Sequence, residues 1–241
     1  MLATFVRFEI KNLLRDEMTR VMLLYPLVLG GLARLLLNRH LLTLPFAAVT
    51  AAVLVILAAG FDFGMIAGFS LLDDREDRVL LSIGISPVSA DLYVWVKVAF
   101  AFVAAVLAGI VTILISGTFT MTPPSTVLIA TLAAMQVPIN AFLVSALAHD
   151  RAEGIAATKF TGILIFLPVV AWLLTGWKQW LLAFVPGFWP IKAIQALPGA
   201  TAAVSTRSSS ALGFSAYVGM GFLWCFIAAA AAFILFRRRP V

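Results

Sequence analysis

Six runs of roughly 20 residues in this chain are apolar and nearly free of charge, and each is long enough to cross a bilayer core of about 30 Å. Of the 241 residues, 63% are hydrophobic and only 12% are charged. A soluble fold of this size has no interior large enough to bury so much apolar surface, so lipid must be the solvent for most of the chain. The predicted membrane spans cover residues 21–37, 44–72, 92–116, 127–148, 155–174 and 212–236.

The distribution of basic residues predicts the orientation of these spans. Six spans place both termini on one side, and that side receives 12 of the 17 Lys and Arg residues, against five on the other. Basic residues concentrate on the cytoplasmic side of membrane proteins. We therefore expect an all-α integral membrane protein of the inner (cytoplasmic) membrane, with six transmembrane helices and both termini cytoplasmic. The excess of positive charge indicates contact with anionic lipid rather than with nucleic acid.

Three polar residues lie deep within the predicted spans. Asp62 precedes the charged residue Asp73 by 11 positions, which places it roughly 16 Å from the membrane exit at 1.5 Å per residue. Asn140 lies at a similar depth on the fourth span, and Gln136 lies one turn further out. These side chains either line a transport path or form interhelical hydrogen bonds and ion pairs, because an unpartnered carboxylate is costly in lipid.

Gly60, Gly64 and Gly68 recur every four residues on the second span, which predicts the close approach of another helix. Asp62 is rotated by about 200° from Gly60. We therefore expect its side chain to face a different neighbour or a cavity.

The segment 73–91 between the second and third spans combines a charged cluster with a short apolar stretch. Residues 73–78 are four acidic and two basic side chains, which marks an exit into water. The apolar residues that follow are too few to cross a bilayer and too hydrophobic for an ordinary loop, so they are typical of a surface helix that docks in a partner's groove. The alternative is a solvated loop that lies on headgroups. The predicted contact residues are Val79, Leu80, Leu81, Ile83 and Ile85.

At this segment the chain resembles the type 2 ABC transporter permeases, the six-helix subunits of drug, antibiotic and polysaccharide exporters. The resemblance rests on the charged cluster 73–78, on Leu80-Leu81, on the turn Ser86-Pro87-Val88-Ser89, and on Tyr93 and Lys97 at the start of the third span. Ser89 is also a suitable N-cap for that helix, with Asp91 in its first turn. Members of the family often have Gly-Thr after the charged cluster, where this chain has Arg78-Val79.

Residues 1–20 are similar to the family's interfacial connecting helix, ahead of a transmembrane domain that covers residues 21–241. The resemblance implies that two permease subunits, identical or paralogous, form the transport path. It also implies that separate ATPase subunits bind ATP and Mg²⁺, and that segment 73–91 transmits their closure to the membrane helices. The chain itself is expected to bind no cofactor.

The segment 175–211 on the opposite side is rich in tryptophan and proline. Indole rings favour the headgroup layer, so this segment is either an interfacial anchor or a lid over the path, and it either lies in the interface or dips back into the bundle. The stretch Pro186-Gly-Phe-Trp-Pro190 resembles the aromatic-proline segment of the family. The candidate outer-gate residues are Trp177, Trp180, Pro186, Trp189 and Pro190.

The sequence lacks the common signatures of catalysis. It has no Gly-x-x-x-x-Gly-Lys-Ser/Thr phosphate loop, its two histidines lie on opposite sides of the membrane, and it has one cysteine. No catalytic residue and no metal site are predicted. We therefore expect a non-enzymatic permease subunit of an ATP-driven exporter that moves a small amphipathic, drug-like or antibiotic-like molecule outward. The alternatives are a secondary transporter that uses Asp62 and a non-transporting membrane scaffold or sensor.

Overall fold

The computed structural model describes residues 17–39, 44–79, 83, 89–163, 166–174, 176–197 and 212–238, and every regular element in these ranges is helical. The α-helices are α1 (Glu17–Asn38), α2 (Leu44–Ile56), α3 (Asp62–Glu76), α4 (Ala90–Ser116), α5 (Pro123–Ala134), α6 (Gln136–Leu147), α7 (Arg151–Ile163), α8 (Leu167–Leu173), α9 (Phe188–Ala196) and α10 (Phe214–Arg237). The all-α expectation is confirmed for this part of the chain.

Four helical stretches within the described residues are long and apolar enough to cross a membrane: Ala48–Glu76, Ala90–Ser116, Pro123–Leu147 and Phe214–Arg237. Their outward faces carry large apolar side chains, and Leu114, Leu223 and Phe226 are each about two-thirds exposed. Such broad apolar exposure is rare on soluble monomers. The chain is therefore a membrane protein, and these faces meet lipid or another subunit.

Two of these stretches are interrupted for identifiable reasons. A π-helical turn, Leu57–Phe61, joins α2 to α3 without a break in the rod. Between α5 and α6 the regular helix is interrupted at Met135, three residues before Pro138. Proline has no backbone N–H and its ring crowds the preceding turn, which bends a helix. The interruption at Met135 thus lies one turn before a proline.

The ends of α4 follow the chemistry of its sequence. The Ser89 side chain accepts a hydrogen bond from the Leu92 backbone N–H, at 3.3 Å, and Asp91 lies in the first turn. Both features were expected from the sequence. Gly117 ends the helix with a left-handed φ of 60°, a common glycine position at a helix C-terminus.

The bundle has two chemically different ends. The charged end contains the last turns of α3 and α10 and the first turns of α4 and α7, with Asp73, Asp91, Arg151 and Arg237. The tryptophan end contains α8, a 3₁₀ helix (Gly176–Leu182) and α9. The predicted N-terminal connecting helix at residues 1–20 lies almost wholly outside the described residues.

Candidate functional site

Asp62 lies beside a cavity of about 480 Å³ between α3 and α7. Its Oδ2 atom is buried and has no hydrogen-bond partner among the described residues. The π-helical turn ends at the residue before it, and π turns inside α-helices frequently occur at functional sites. The cavity is lined by Phe61, Asp62, Met65 and Phe69 on one side and by Arg151, Ile155 and Thr158 on the other.

Helices α3 and α7 are antiparallel along this cavity, in a consistent register. At the charged end, Arg151 Nη2 lies 3.8 Å from Asp73 Oδ2. One turn deeper, a Cβ atom on Gly154 would lie 2.8 Å from Phe69 Cε1, so the missing side chain makes room for the ring. At the level of Asp62, a Cβ atom on Gly162 would lie 3.8 Å from Phe61 Cζ. The cavity therefore extends from the charged end to the depth of Asp62.

The glycine stripe on the second predicted span packs against another helix, as expected. A Cβ on Gly60 would lie 2.6 Å from the Ala133 carbonyl oxygen, and one on Gly64 would lie 2.8 Å from Asn140 Cβ. Gly68 is similarly close to Val144. The stripe thus permits tight contact between the α2–α3 rod and the α5–α6 rod.

Asp62, Gln136 and Asn140 do not form one polar surface. Gln136 and Asn140 contact the glycine stripe, whereas Asp62 lies beside the cavity on the α7 side. Gln136 Nε2 also donates to the Ala133 carbonyl oxygen at 3.2 Å, beside the interruption at Met135. Gln136 therefore has a hydrogen bond within its own rod. Of the three polar path candidates, Asp62 is the one that lines this cavity.

A buried polar cluster joins α3 to α4 at the charged end. Asp74 Oδ2 accepts hydrogen bonds from Tyr93 Oη, at 3.0 Å, and from Lys97 Nζ. Lys97 Nζ also donates to the Ser70 carbonyl oxygen at 3.3 Å. We call Asp74, Tyr93 and Lys97 the clamp. It brings together the charged cluster and the Tyr and Lys residues on which the sequence resemblance rests.

Arg75 extends this connection to two further helices. Its Nη1 atom donates to the Ser145 carbonyl oxygen of α6 at 2.8 Å, and its guanidinium lies over the Phe236 ring of α10, 4.9 Å from the centroid. Asp73, Asp74 and Arg75 are only partly exposed, while Glu76, Asp77 and Arg78 are exposed. The charged cluster therefore enters water in its second half, and its first half holds helices together.

Arg78 adopts a left-handed backbone conformation, with φ at 55°. It is the second residue after the end of α3, and its N–H donates to the Arg75 carbonyl oxygen at 3.1 Å. Glycine is the usual residue at this helix-terminating position. Arg78 thus has a glycine-like conformation at the point where members of the resembled family often have glycine.

The predicted contact residues are only partly within the described residues. Val79 and Ile83 are half-buried and pack against the apolar cluster formed by α3, α4, α6 and α10. They therefore contact the chain's own bundle. Leu80, Leu81 and Ile85 lie outside the described residues.

The candidate outer-gate residues separate into exposed and buried groups. Trp177 is 71% exposed and Trp180 is 37% exposed on the 3₁₀ helix. Trp189 and Pro190 are buried on α9, which folds back into the bundle beside α10. Trp180 and Trp189 lie close together, with ring centroids 6.4 Å apart. Pro186 is half-buried in the turn before α9.

Lys192 on α9 is a residue whose role the sequence did not indicate. Its side chain is almost fully buried, and its Nζ atom donates to the Leu174 carbonyl oxygen at 3.0 Å and to Gln195 Oε1 at 2.9 Å. Gln195 Nε2 in turn donates to the Trp172 carbonyl oxygen at 3.2 Å. Lys192 and Gln195 thus fix α9 to the end of α8. The charge count had treated Lys192 only as one of the five basic residues on the outer side.

The α7 wall of the cavity was also missed at the level of sequence. Arg151, Ile155 and Thr158 are spaced i, i+4 and i+7 and so share one helical face. Asp62, Met65 and Phe69 have the matching i, i+3 and i+7 spacing on α3. That periodicity was the available signal, but it could not show that the two faces meet. No group of His, Cys, Asp and Glu residues suited to a metal ion occurs within the described ranges.

Comparison with known proteins adds independent information. Residues 9–233 match the family described as fluoroquinolones export permease protein Rv2686c-like. Two curated relatives are the fluoroquinolones export permease proteins MT2760 and Rv2686c, from Mycobacterium tuberculosis strains CDC 1551 / Oshkosh and ATCC 25618 / H37Rv. Each is 26% identical over 213 residues, covering 80% of this chain and 81% of the relative.

Proposed function

The chain belongs to the Rv2686c-like family of fluoroquinolone export permeases, and on that premise we propose that it is the transmembrane subunit of an ATP-binding cassette exporter. Its cargo would be a small amphipathic molecule of the fluoroquinolone type, moved outward across the inner (cytoplasmic) membrane. The observation that carries the proposal is the family match, which extends over residues 9–233 and so includes the helices of the bundle. The motifs from which the type 2 permease resemblance was inferred lie within the same range.

The proposal assigns ATP hydrolysis to a separate subunit. The sequence contains no phosphate loop of the Gly-Lys-Ser/Thr type, so ATP and Mg²⁺ would be bound by the partner. A second permease subunit, the same chain or a paralogue, would complete the path. This chain would therefore contribute substrate binding and helix movement but no catalysis.

The proposed topology has six membrane spans: α1, α2–α3, α4, α5–α6, α7–α8 and α10. Both termini and the charged end would be cytoplasmic, because 12 of 17 basic residues fall on that side. Helix α1 has 22 residues, and residues 21–37 within it carry no charge except that of Arg34. A helix of about 20 residues is long enough to cross the bilayer core, so α1 would supply the first span.

In this scheme the ATPase binds the segment 79–88, and Val79 and Ile83 hold that segment against the bundle. It connects α3 to α4 in the sequence, and the clamp ties these two helices together. A displacement of the segment would therefore move α3 and α4 as a unit. Because Arg75 also contacts α6 and α10, the movement would spread to four helices.

The test combines co-purification with transport. The chain and its ATPase are co-expressed. Extraction of one membrane sample in mild detergent measures ATPase capture, and inverted vesicles from a second sample measure ATP-dependent uptake of a fluoroquinolone. We expect the paired change Leu80→Asp, Leu81→Asp to leave insertion intact and to abolish both ATPase capture and uptake, because unpaired carboxylates are costly in an apolar groove. Ala152→Asp, an exposed position at the same end of the bundle, is the matched control. Full capture and uptake by the double variant would contradict the assignment of the segment.

Asp62 Oδ2, buried without a hydrogen-bond partner in the described part of the chain, supports a second candidate, a secondary transporter that couples export to protons. An ionisable side chain inside a membrane protein commonly marks a proton or ion pathway. Uptake driven by an imposed pH gradient, without ATPase or ATP, would favour this candidate. Uptake that requires ATP and persists without a pH gradient would eliminate it.

A further inference from the structure

We propose that the cavity between α3 and α7 is a binding site for a flat zwitterionic molecule, with Asp62 contacting its amine and Arg151 contacting its acidic group. This inference rests on the proposed function and specifies where in the chain the substrate binds. The volume of about 480 Å³ lies within the range of sites for drug-sized ligands.

The deep end of the cavity is suited to a cation. Asp62 Oδ2 is buried without a partner among the described residues, and a carboxylate in this position needs a proton or a positive charge. The described cationic side chain that lines the cavity, Arg151, is at its other end. A ligand amine at Asp62 would therefore supply a positive charge that none of the described side chains lining the cavity provides there.

The shallow end is suited to an anion. The Arg151 side chain is 60% exposed, and its ion pair with Asp73 is long, at 3.8 Å. Exposed ion pairs of this kind contribute little. A guanidinium carries five N–H donors and binds carboxylates in a bidentate manner. Arg151 can thus bind a ligand carboxylate without giving up a strong internal contact.

The wall between the two charges is aromatic and apolar. Phe61 lies at the level of Asp62, Phe69 lies nearer the charged end, and Met65 lies between them. Aromatic rings and methionine sulfur pack well against flat aromatic ligands. From the charged end inward, the cavity therefore suits a ligand with an anionic group, then a flat aromatic face, then a cationic group.

This order matches fluoroquinolones in their chemistry. These molecules have a carboxylate at one edge of a flat bicyclic ring, and many have a basic amine at the opposite edge. A zwitterionic phospholipid is a poor match, since its amine lies at headgroup level and Asp62 lies roughly 16 Å from Asp73 along α3. The arrangement thus favours an aromatic zwitterion over a bound lipid.

The test measures binding to the full chain, with its ATPase where the two co-purify, in phosphatidylcholine nanodiscs. The probes are norfloxacin, nalidixic acid, which lacks the basic amine, and norfloxacin methyl ester, which lacks the carboxylate. We expect Asp62→Asn to weaken norfloxacin and ester binding by about tenfold or more and to leave nalidixic acid unchanged, since hydrogen bonds to charged groups are strong. Arg151→Gln should weaken norfloxacin and nalidixic acid but spare the ester.

Three further variants make the result decisive. Asp62→Glu keeps the charge and should retain the preference for norfloxacin over nalidixic acid. Thr158→Trp should fill the cavity and weaken all three probes. Asp91→Asn, at an exposed position away from the cavity, should change none of them.

The outcomes separate the site from the proposed function. If the wild type binds and exports norfloxacin, and Asp62→Asn and Thr158→Trp bind all probes as the wild type does, the cavity assignment is wrong and the exporter assignment stands. If the wild-type complex neither binds nor exports any of the probes, the proposed substrate class is wrong, and the site assignment fails with it.

Discussion

Lys97 and Asp74 lie 23 positions apart on two helices and form an ion pair whose side chains are only 4% and 15% exposed. The pair connects α3 to α4, with Asp74 five residues before and Lys97 nine residues after the segment 79–88 that is proposed to bind the ATPase. Removing one partner of a buried pair leaves a charge without compensation. The pair is therefore a structural lock, and in the proposed scheme it would carry movement of the segment to the membrane helices.

Lys97→Met should lower the free energy of unfolding by about 3–5 kcal/mol, because the Asp74 carboxylate loses its counter-charge. The matched control is Arg237→Met, whose exposed pair with Asp91 has an N–O distance of 3.3 Å and should contribute less than about 1 kcal/mol. Thermal unfolding in detergent measures both. Adding Asp74→Asn to Lys97→Met should restore part of the lost stability. If Lys97→Met and Arg237→Met lowered the unfolding free energy equally, the pair would not be a buried lock.

Gly60→Ala should destabilise the chain by about 1–3 kcal/mol, as overpacked side chains generally do. The new Cβ would lie 2.6 Å from the Ala133 carbonyl oxygen, a backbone atom that moves only if the two rods separate. Gly31→Ala is the control, since a Cβ added there would meet no described neighbour within 4 Å and alanine favours helix over glycine. Melting temperatures followed by tryptophan fluorescence should fall for the first variant only.

The left-handed backbone of Arg78 can be tested by comparing two variants that both lack its side-chain interactions. Arg78→Gly and Arg78→Ala remove the same interactions but differ in the cost of a left-handed φ. We expect the glycine variant to be more stable by about 1 kcal/mol, the reverse of the order inside a helix. The comparison uses thermal unfolding of the two proteins side by side. Greater stability of the alanine variant would mean that Arg78 does not have a left-handed conformation in solution.

The proposed topology predicts which positions an impermeant thiol reagent can reach from outside the cell. The background is Cys225→Ala, which removes a buried thiol. Cysteines at Ser208 and Thr122 should be labelled, and cysteines at Asp77 and Arg238 should not, because basic residues concentrate on the cytoplasmic side. Permeabilised cells provide the positive control for the last two. Labelling of Asp77→Cys in intact cells would reverse the orientation.

Sequence periodicity predicted the features of this bundle that depend on one helix. The glycine stripe and the opposite direction of Asp62 follow from 3.6 residues per turn, and both agree with the contacts of Gly60 and Gly64. The cap at Ser89 depends on residues three positions apart, so it was predictable too.

Features that depend on two distant segments were not predictable from one sequence. Counting charges placed Lys192 among outer basic residues, but its burial depends on the path of α9 and on the Leu174 carbonyl group. The cavity requires that α7 lie against α3, which neither helix specifies alone. Gln136 and Asn140 were grouped with Asp62 by depth, and depth does not tell on which side of a helix the neighbour lies.

The π-helical turn at Leu57–Phe61 affects how this chain is compared with its relatives. A π turn accommodates one residue more than the α-helical turn it replaces. A relative that builds the same rod as a continuous α-helix would thus be one residue shorter between α2 and α3, and an alignment without a gap would pair Asp62 with the wrong helical face. The position equivalent to Asp62 should therefore be identified by counting back from the charged cluster at Asp73–Arg78, never by counting forward from α2.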